Sequence, residues 1–138
     1  VIYALDSNII SYLFKGDPVV YDNNDLAMAD GGLCVIPRVV YYGIRRGPIL
    51  SGATKKAVPF DSIYRKHGVE GMPTSVWNEA AMQHADLSKQ GRLVVDADLL
   101  IGAFCVVNGY TLVTNNQKHF ENISDIQLVN RIERPCGK

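Results

Sequence analysis

Asp6 closes a short apolar run, Val1-Ile-Tyr-Ala-Leu5, and is followed by Ser7-Asn8 and a helix-like stretch from Ile9 to Phe14. An apolar, partly β-branched run ended by a carboxylate reads as a buried strand delivering an acid to the carboxyl edge of a sheet, the edge where open α/β sheets bind ligands. Such an acid suits one leg of a metal site. A second group of acids, Asp96 and Asp98, opens the apolar segment 97–108. Asp96 has the place of an N-cap, where a carboxylate satisfies free backbone donors and suits the helix dipole. Asp98 falls in the first turn of a helix with little other polar surface, so it either caps or holds a cation. After Thr111-Leu-Val-Thr114 comes a polar cluster, Asn115-Asn116-Gln117-Lys118-His119. It too would lie on the carboxyl edge, although Asn-Asn is also a plain turn. His119 has no histidine partner at ligand spacing, and His67 and His84 carry no pattern. Taken together, these residues suit hard-oxygen coordination of a divalent cation.

The elements that must position these groups are short. Apolar runs at 2–6, 33–36, 69–72, 111–114 and 126–129 predict strands, and helix-like stretches separate them. Helices are predicted at 8–15, 18–30, 38–46, 51–67, 75–90 and 97–108. Their ends carry stop signals: Gly16, Gly31-Gly32, Gly47-Pro48, Gly68, Gly91 and Asn108-Gly109. Asp17-Pro18 opens the second helix, and Pro59 should bend or split the fourth. Segment 97–108 is apolar nearly all round, the mark of a helix buried on most sides. Strands alternating with helices predict a three-layer α/β fold with a mainly parallel sheet. A length of 138 residues suits one domain, residues 1–138.

Composition narrows the class. With 47% apolar and 20% charged residues, the chain is of ordinary globular type. No stretch approaches the roughly 20 apolar residues that span a bilayer. No basic segment precedes the first apolar run and Asp6 interrupts it, which argues against a signal peptide and for a cytoplasmic protein. Cys34, Cys105 and Cys136 are odd in number and far apart, and read as reduced thiols rather than a disulfide frame or a zinc site. The net charge is zero but unevenly spread: +6 over residues 38–67, −4 over 1–37 and −2 over 68–138. Arg38, Arg45, Arg46, Lys55 and Lys56 supply most of the basic excess. A basic segment beside an acidic cluster suits a polyanion approaching carboxylates, and equally a solvated helical face.

In combination these pieces resemble the PIN-domain ribonucleases, and within them the VapC toxins of toxin–antitoxin pairs. The resemblance covers nearly the whole chain. It is carried by Leu5-Asp6-Ser7-Asn8-Ile9-Ile10-Ser11, Ile36 to Gly47, Asp96-Ala97-Asp98-Leu99-Leu100-Ile101-Gly102-Ala103, and Leu112-Val113-Thr114-Asn115-Asn116 with His119-Phe120. Each motif alone is weak; four in the right order make a specific match. It implies a five-stranded parallel sheet between helices and Mg²⁺- or Mn²⁺-assisted hydrolysis of RNA. It places the first acid at Asp6 and the third at Asp98, with Asp96 a common companion and with Thr114 and Asn116 as the polar group after the fourth strand. Asp6 and Asp98 would hold the metal, Asn116 a water beside it, and Ser7 and Asn8 would fix the loop around Asp6. A VapB-like antitoxin, an RNA substrate and a homodimer are the implied partners. Val39-Val40-Tyr41-Tyr42 suits either a partner groove or core packing.

Two positions depart from the pattern. The family's second acid is a glutamate four residues before a glycine. Gly47 is that glycine, so the glutamate position is Gly43. Glycine inside a helix costs roughly 1 kcal/mol relative to alanine, so local structure does not explain it. His119 stands where many relatives carry an acid. One carboxylate short, the chain is expected to bind metal weakly and to cleave little, as selected or deliberate inactivation of a toxin would leave it. The alternative is a non-catalytic PIN scaffold that binds RNA or protein. A phosphoacceptor receiver domain would need an acidic pair after the first strand, and a haloacid-dehalogenase phosphatase Asp-x-Asp; neither is present.

Overall fold

A computed structural model describes residues 1–52 and 58–130. The five expected strands form one sheet: β1 (Ile2–Leu5), β2 (Leu33–Pro37), β3 (Val69–Glu70), β4 (Thr111–Val113) and β5 (Gln127–Val129), in the order β3-β2-β1-β4-β5. Every pairing is parallel, and Tyr3 lies opposite Cys34 on one side and Thr111 on the other. Parallel sheets need cover on both faces, which is why β1 is a continuous apolar run with Ala4 and Leu5 fully buried. The chain leaves β1 towards β2 and β3, then crosses back to β4. The order therefore reverses between β1 and β4, and a crevice opens there at the strands' carboxyl ends. Asp6 and Thr114 are the residues that leave those two strands.

The helices α1 (Ser7–Phe14), α2 (Pro18–Ala29), α3 (Arg38–Ser51), α4 (Val58–His67), α5 (Thr74–Lys89) and α6 (Asp96–Asn108) flank the sheet and complete the three-layer α/β fold. α1 buries Ile9, Ile10 and Leu13. Asp17 caps α2 by accepting from Val20 N at 3.1 Å, with Pro18 at the first helical position as expected. α6 buries Leu99, Ile101, Ala103, Phe104 and Cys105, and packs against α5, α3 and β4. It leaves at Gly109 in the left-handed conformation that a residue without Cβ adopts freely.

Several boundaries differ from the sequence reading. The expected stop at Gly47-Pro48 does not end α3. Pro48 withdraws one backbone donor, and the helix runs a further turn to Gly52, whose φ of +72° sets the exit. The expected helix 51–67 is thus shorter. Ser51 belongs to α3, residues 53–57 lie outside the described residues, and α4 begins at Val58 with Pro59 in its first turn. A proline there displaces no helical hydrogen bond. Asp96 is not the cap of α6. Val95 holds that place, its carbonyl accepting from Leu99 N at 3.0 Å, which moves Asp96 to the first helical position. β3 is two residues rather than four. Cys34 and Cys105 are buried, and Cys136 lies outside the described residues.

Phe104 is fully buried and meets Tyr110 edge-to-face at 5.5 Å. Truncating it opens a cavity between α6 and the sheet. Phe104→Ala is expected to lower unfolding free energy by about 3–5 kcal/mol in urea titrations.

Candidate active site

Asp6 is only 4% exposed, yet its side-chain oxygens accept from three donors. Its Oδ1 accepts from Ser7 N at 2.8 Å, and its Oδ2 from Asn8 Nδ2 at 3.1 Å and from Thr114 Oγ1 at 2.8 Å. Thr114 is fully buried, and its hydroxyl is used to capacity. It donates to Asp6 and accepts from Asn8 Nδ2 at 3.2 Å and from Asn116 N at 3.0 Å. Asn8 Oδ1 in turn accepts from Asn115 N, and Asn115 Nδ2 donates to Tyr12 Oη, both at 3.2 Å. The carboxyl ends of β1 and β4 are thereby tied through side chains. The tie occupies Oδ2 and leaves Oδ1 with acceptor capacity for a ligand. The sequence gives Tyr12 no sign of this role. The one signal there was Asn115's place after Thr114, which a turn explains equally well.

Asp98 projects from the first turn of α6 into the same hollow as Asp6. This hollow is about 470 Å³, with Ser7, Gly43, Ile44 and Arg46 also on its walls. Burial and the charge of Asp6 push the Asp98 carboxyl above its ordinary pKa, and His119, whose Nδ1 lies 3.5 Å from Asp98 Oδ2, offsets this in part. Asp96 faces elsewhere. Residues two apart on a helix point about 200° apart, so Asp96 lines a separate hollow with Trp77, His84 and Leu100. Asn116 contributes main-chain groups, its N to Thr114 Oγ1 and its carbonyl to His119 N at 3.0 Å, while its side chain is exposed and outside the hollow. Gly43 lies on the hollow's wall, and a Cβ built on it meets nothing within 4 Å.

Two carboxylates that repel one another across a half-buried hollow fit a hard divalent cation. Mg²⁺ is commonly held by one or two carboxylates and keeps several waters. Among the described residues no group of three His, Cys, Asp or Glu side chains is placed to hold a metal; the hollow offers a pair.

The basic residues of α3 divide. Arg45 pairs with Asp61 at 3.4 Å, Arg38 lies over the Tyr41 ring, and Arg46 lies over the Tyr42 ring while also lining the carboxylate hollow. Lys55 and Lys56 lie outside the described residues. Val40 packs into the core, in keeping with core packing of the 39–42 stretch, whereas Tyr42 is exposed.

Two outcomes follow from these contacts. Thr114→Val keeps the shape but removes the donor to Asp6 and the acceptor for Asn8 and Asn116, and should cost about 1–3 kcal/mol in chemical denaturation. Asp98 binds its proton more tightly in the folded chain than in the unfolded one, so its ionisation costs stability as pH rises through the folded pKa. Asp98→Asn, measured in EDTA, should therefore melt higher than the parent at neutral pH. The advantage should vanish as pH falls below the ordinary carboxylate value near ~4.

Comparison with known proteins bears on the fold and the family. Ribonuclease VapC2 of Rickettsia felis is 29% identical over 133 residues, which cover 94% of this chain and 97% of that protein. Ribonuclease VapC2 of Haemophilus influenzae is 30% identical over 131 residues, 93% of this chain and 96% of the relative. Among solved structures, the chain matches VapBC2 from Rickettsia felis bound to a DNA fragment from their promoter, with a TM-score of 0.86 at 24% identity over 94% of this chain and 98% of that one. DNA-bound VapBC from Salmonella typhimurium gives 0.84 at 20% over the same shares. At those identities the structures speak for the fold. No protein-family model matches the chain. A relative 30% identical and matched almost end to end, on a fold with Asp6 and Asp98 at its switch point, places this chain among the VapC ribonucleases, the PIN-domain toxins of toxin–antitoxin pairs.

Proposed function

We propose that this chain is a VapC-type endoribonuclease whose centre is built for Mg²⁺ or Mn²⁺ and is impaired by the glycine at position 43. The observation that carries the reading is the shared hollow: Asp6 and Asp98 face it together, and Gly43 stands on its wall with open space where a side chain would project. Asp6 and Asp98 would hold the cation. When bound, it would lower the pKa of an attacking water and stabilise charge building on the phosphoryl group. The rest is the work of the chain. Ser7 N, Asn8 and Thr114 hold Asp6 in one orientation before any ligand arrives, which spares reorganisation during reaction. Arg46, on the rim of the same hollow, is placed to meet a phosphate of the RNA. Val40, Ile44 and Phe60 form apolar walls that limit water around the carboxylates. With Gly43 the cation loses one ligand charge, so affinity and turnover both fall.

The partner in this reading is a VapB-like antitoxin, and related chains have been solved in VapBC complexes. Its docking surface would be the outer face of α3. Tyr42, Ile49 and Leu50 are exposed there, Leu50 to 90%, and line an apolar hollow beside Arg38, Arg45 and Arg46. A homodimer accords with the family. Among the described residues no helix is long and apolar enough to cross a membrane.

A second reading, a PIN scaffold that binds RNA or protein without cutting, is favoured by Gly43 and by His119 in a place where many relatives carry an acid. One substitution separates the two. Gly43→Glu should bind Mg²⁺ at least about tenfold more tightly by calorimetry. It should also raise Mg²⁺- or Mn²⁺-dependent RNA cleavage on the order of 10²-fold. A Glu form no more active than the Gly form would sink the impaired-nuclease reading and leave the binding module.

A further inference from the structure

We infer that the RNA strand continues past Asp98 into a second hollow, where Arg92 and Lys118 bind a phosphate next to the one to be cleaved. This rests on the nuclease reading above and adds a subsite to it. The second hollow is about 270 Å³, and Asp98 belongs to the walls of both hollows. On one side of Asp98 lie Gly43 and Arg46; on the other lie Arg92 and Lys118.

The two cations come from separate parts of the chain. Arg92 follows α5, its N donating to Leu87 O at 2.9 Å, and its guanidinium is steadied by Asn122 Oδ1. Lys118 sits in the 3-10 turn Gln117–His119 that follows β4. Asp98 is the one acid among the residues lining this hollow, and His119 already covers it. Arg92 and Lys118 bring two cationic side chains to this hollow. Their partner is therefore an anion that approaches Asp98 without being one with it.

A nucleotide has the mixed surface this hollow offers. Leu93 and Val95, exposed to 93% and 66%, stand beside the cations and suit a sugar or base, while the charges suit its phosphate. A strand whose scissile phosphate lies over Asp6 and Asp98 places the neighbouring phosphate within one nucleotide of that point. The geometry gives the bound strand a direction of travel: over α3's rim at Arg46, across the two carboxylates, and out between Arg92 and Lys118.

The test is binding of a short fluorescent single-stranded RNA in EDTA, followed by anisotropy across a salt series, with poly-glutamate as competitor. Arg92→Ala/Lys118→Ala should weaken binding about tenfold and flatten the plot of log K against log salt by about 0.7 for each phosphate the variant no longer neutralises. Lys118→Ala alone, at an exposed turn position, should show a smaller loss of the same kind. Lys15→Ala/Lys89→Ala removes the same charge elsewhere and should leave affinity within about twofold of the parent. If the parent binds RNA and the Arg92/Lys118 variants bind it equally well, the subsite is wrong and the nuclease reading stands. An equal loss in the Lys15/Lys89 control reduces the effect to net charge and overturns the subsite. So does an Arg92- and Lys118-dependent preference for poly-glutamate over RNA, which would make the hollow an acidic-peptide site. If the parent binds no RNA and its Gly43→Glu form cuts none, the nuclease reading falls and takes the subsite with it.

Discussion

The hydroxyl of Thr114 joins the two strands between which this fold changes direction. Parallel strands bring their carboxyl ends side by side, but a backbone ladder does not by itself orient the side chains that follow. Here the Thr114 hydroxyl donates to Asp6, and the same oxygen receives Asn8 and the Asn116 backbone. A buried carboxylate without such donors would be costly to ionise. With them, Asp6 can sit 4% exposed in the crevice and still present one oxygen to it. The rest of the site is arranged around this fixed acid. α6 is held down by its apolar faces so that Asp98 meets it, and α3 closes the third side.

The electrostatic character of the site follows from that arrangement. Burial and the neighbouring Asp6 charge penalise the ionised form of Asp98, and His119 relieves only part of it. Pairs of acids held under such tension suit a cation better than they serve stability. Arg46 lines the same hollow as the two acids, and Arg92 with Lys118 line the neighbouring hollow that shares Asp98. This sign pattern suits the metal-assisted cleavage of a polyanion proposed above.

Much of this was legible in the residues, and the reasons are physical. Buried parallel strands must be apolar throughout, so their positions showed, and an acid at the end of such a run could only point to the edge. What period and composition could not show was direction around a helix axis set by a shifted cap. Asp96 read as the cap of α6, but Val95 holds that role, and Asp96 turns towards Trp77 and His84 instead of Asp6. The end of α3 was misplaced because Gly-Pro is a local stop signal, and a helix can do without one donor when a left-handed glycine a turn later offers a better exit. The Asn8–Asn115–Tyr12 chain was invisible because it is long-range: its members are 103 and 107 residues apart.

Position 43 has a consequence beyond chemistry. A Cβ at this position meets nothing within 4 Å, so its neighbours leave room for a side chain to begin there. Glycine and glutamate codons can differ by a single base. A lineage carrying this scaffold would therefore be one mutation away from a third carboxylate, with room for its Cβ already present. The glycine form costs the helix roughly 1 kcal/mol, and the glutamate form would add a charge beside Asp6 and Asp98, so the two stability effects oppose one another, and the presence of a neutralising partner would decide which form a cell could tolerate.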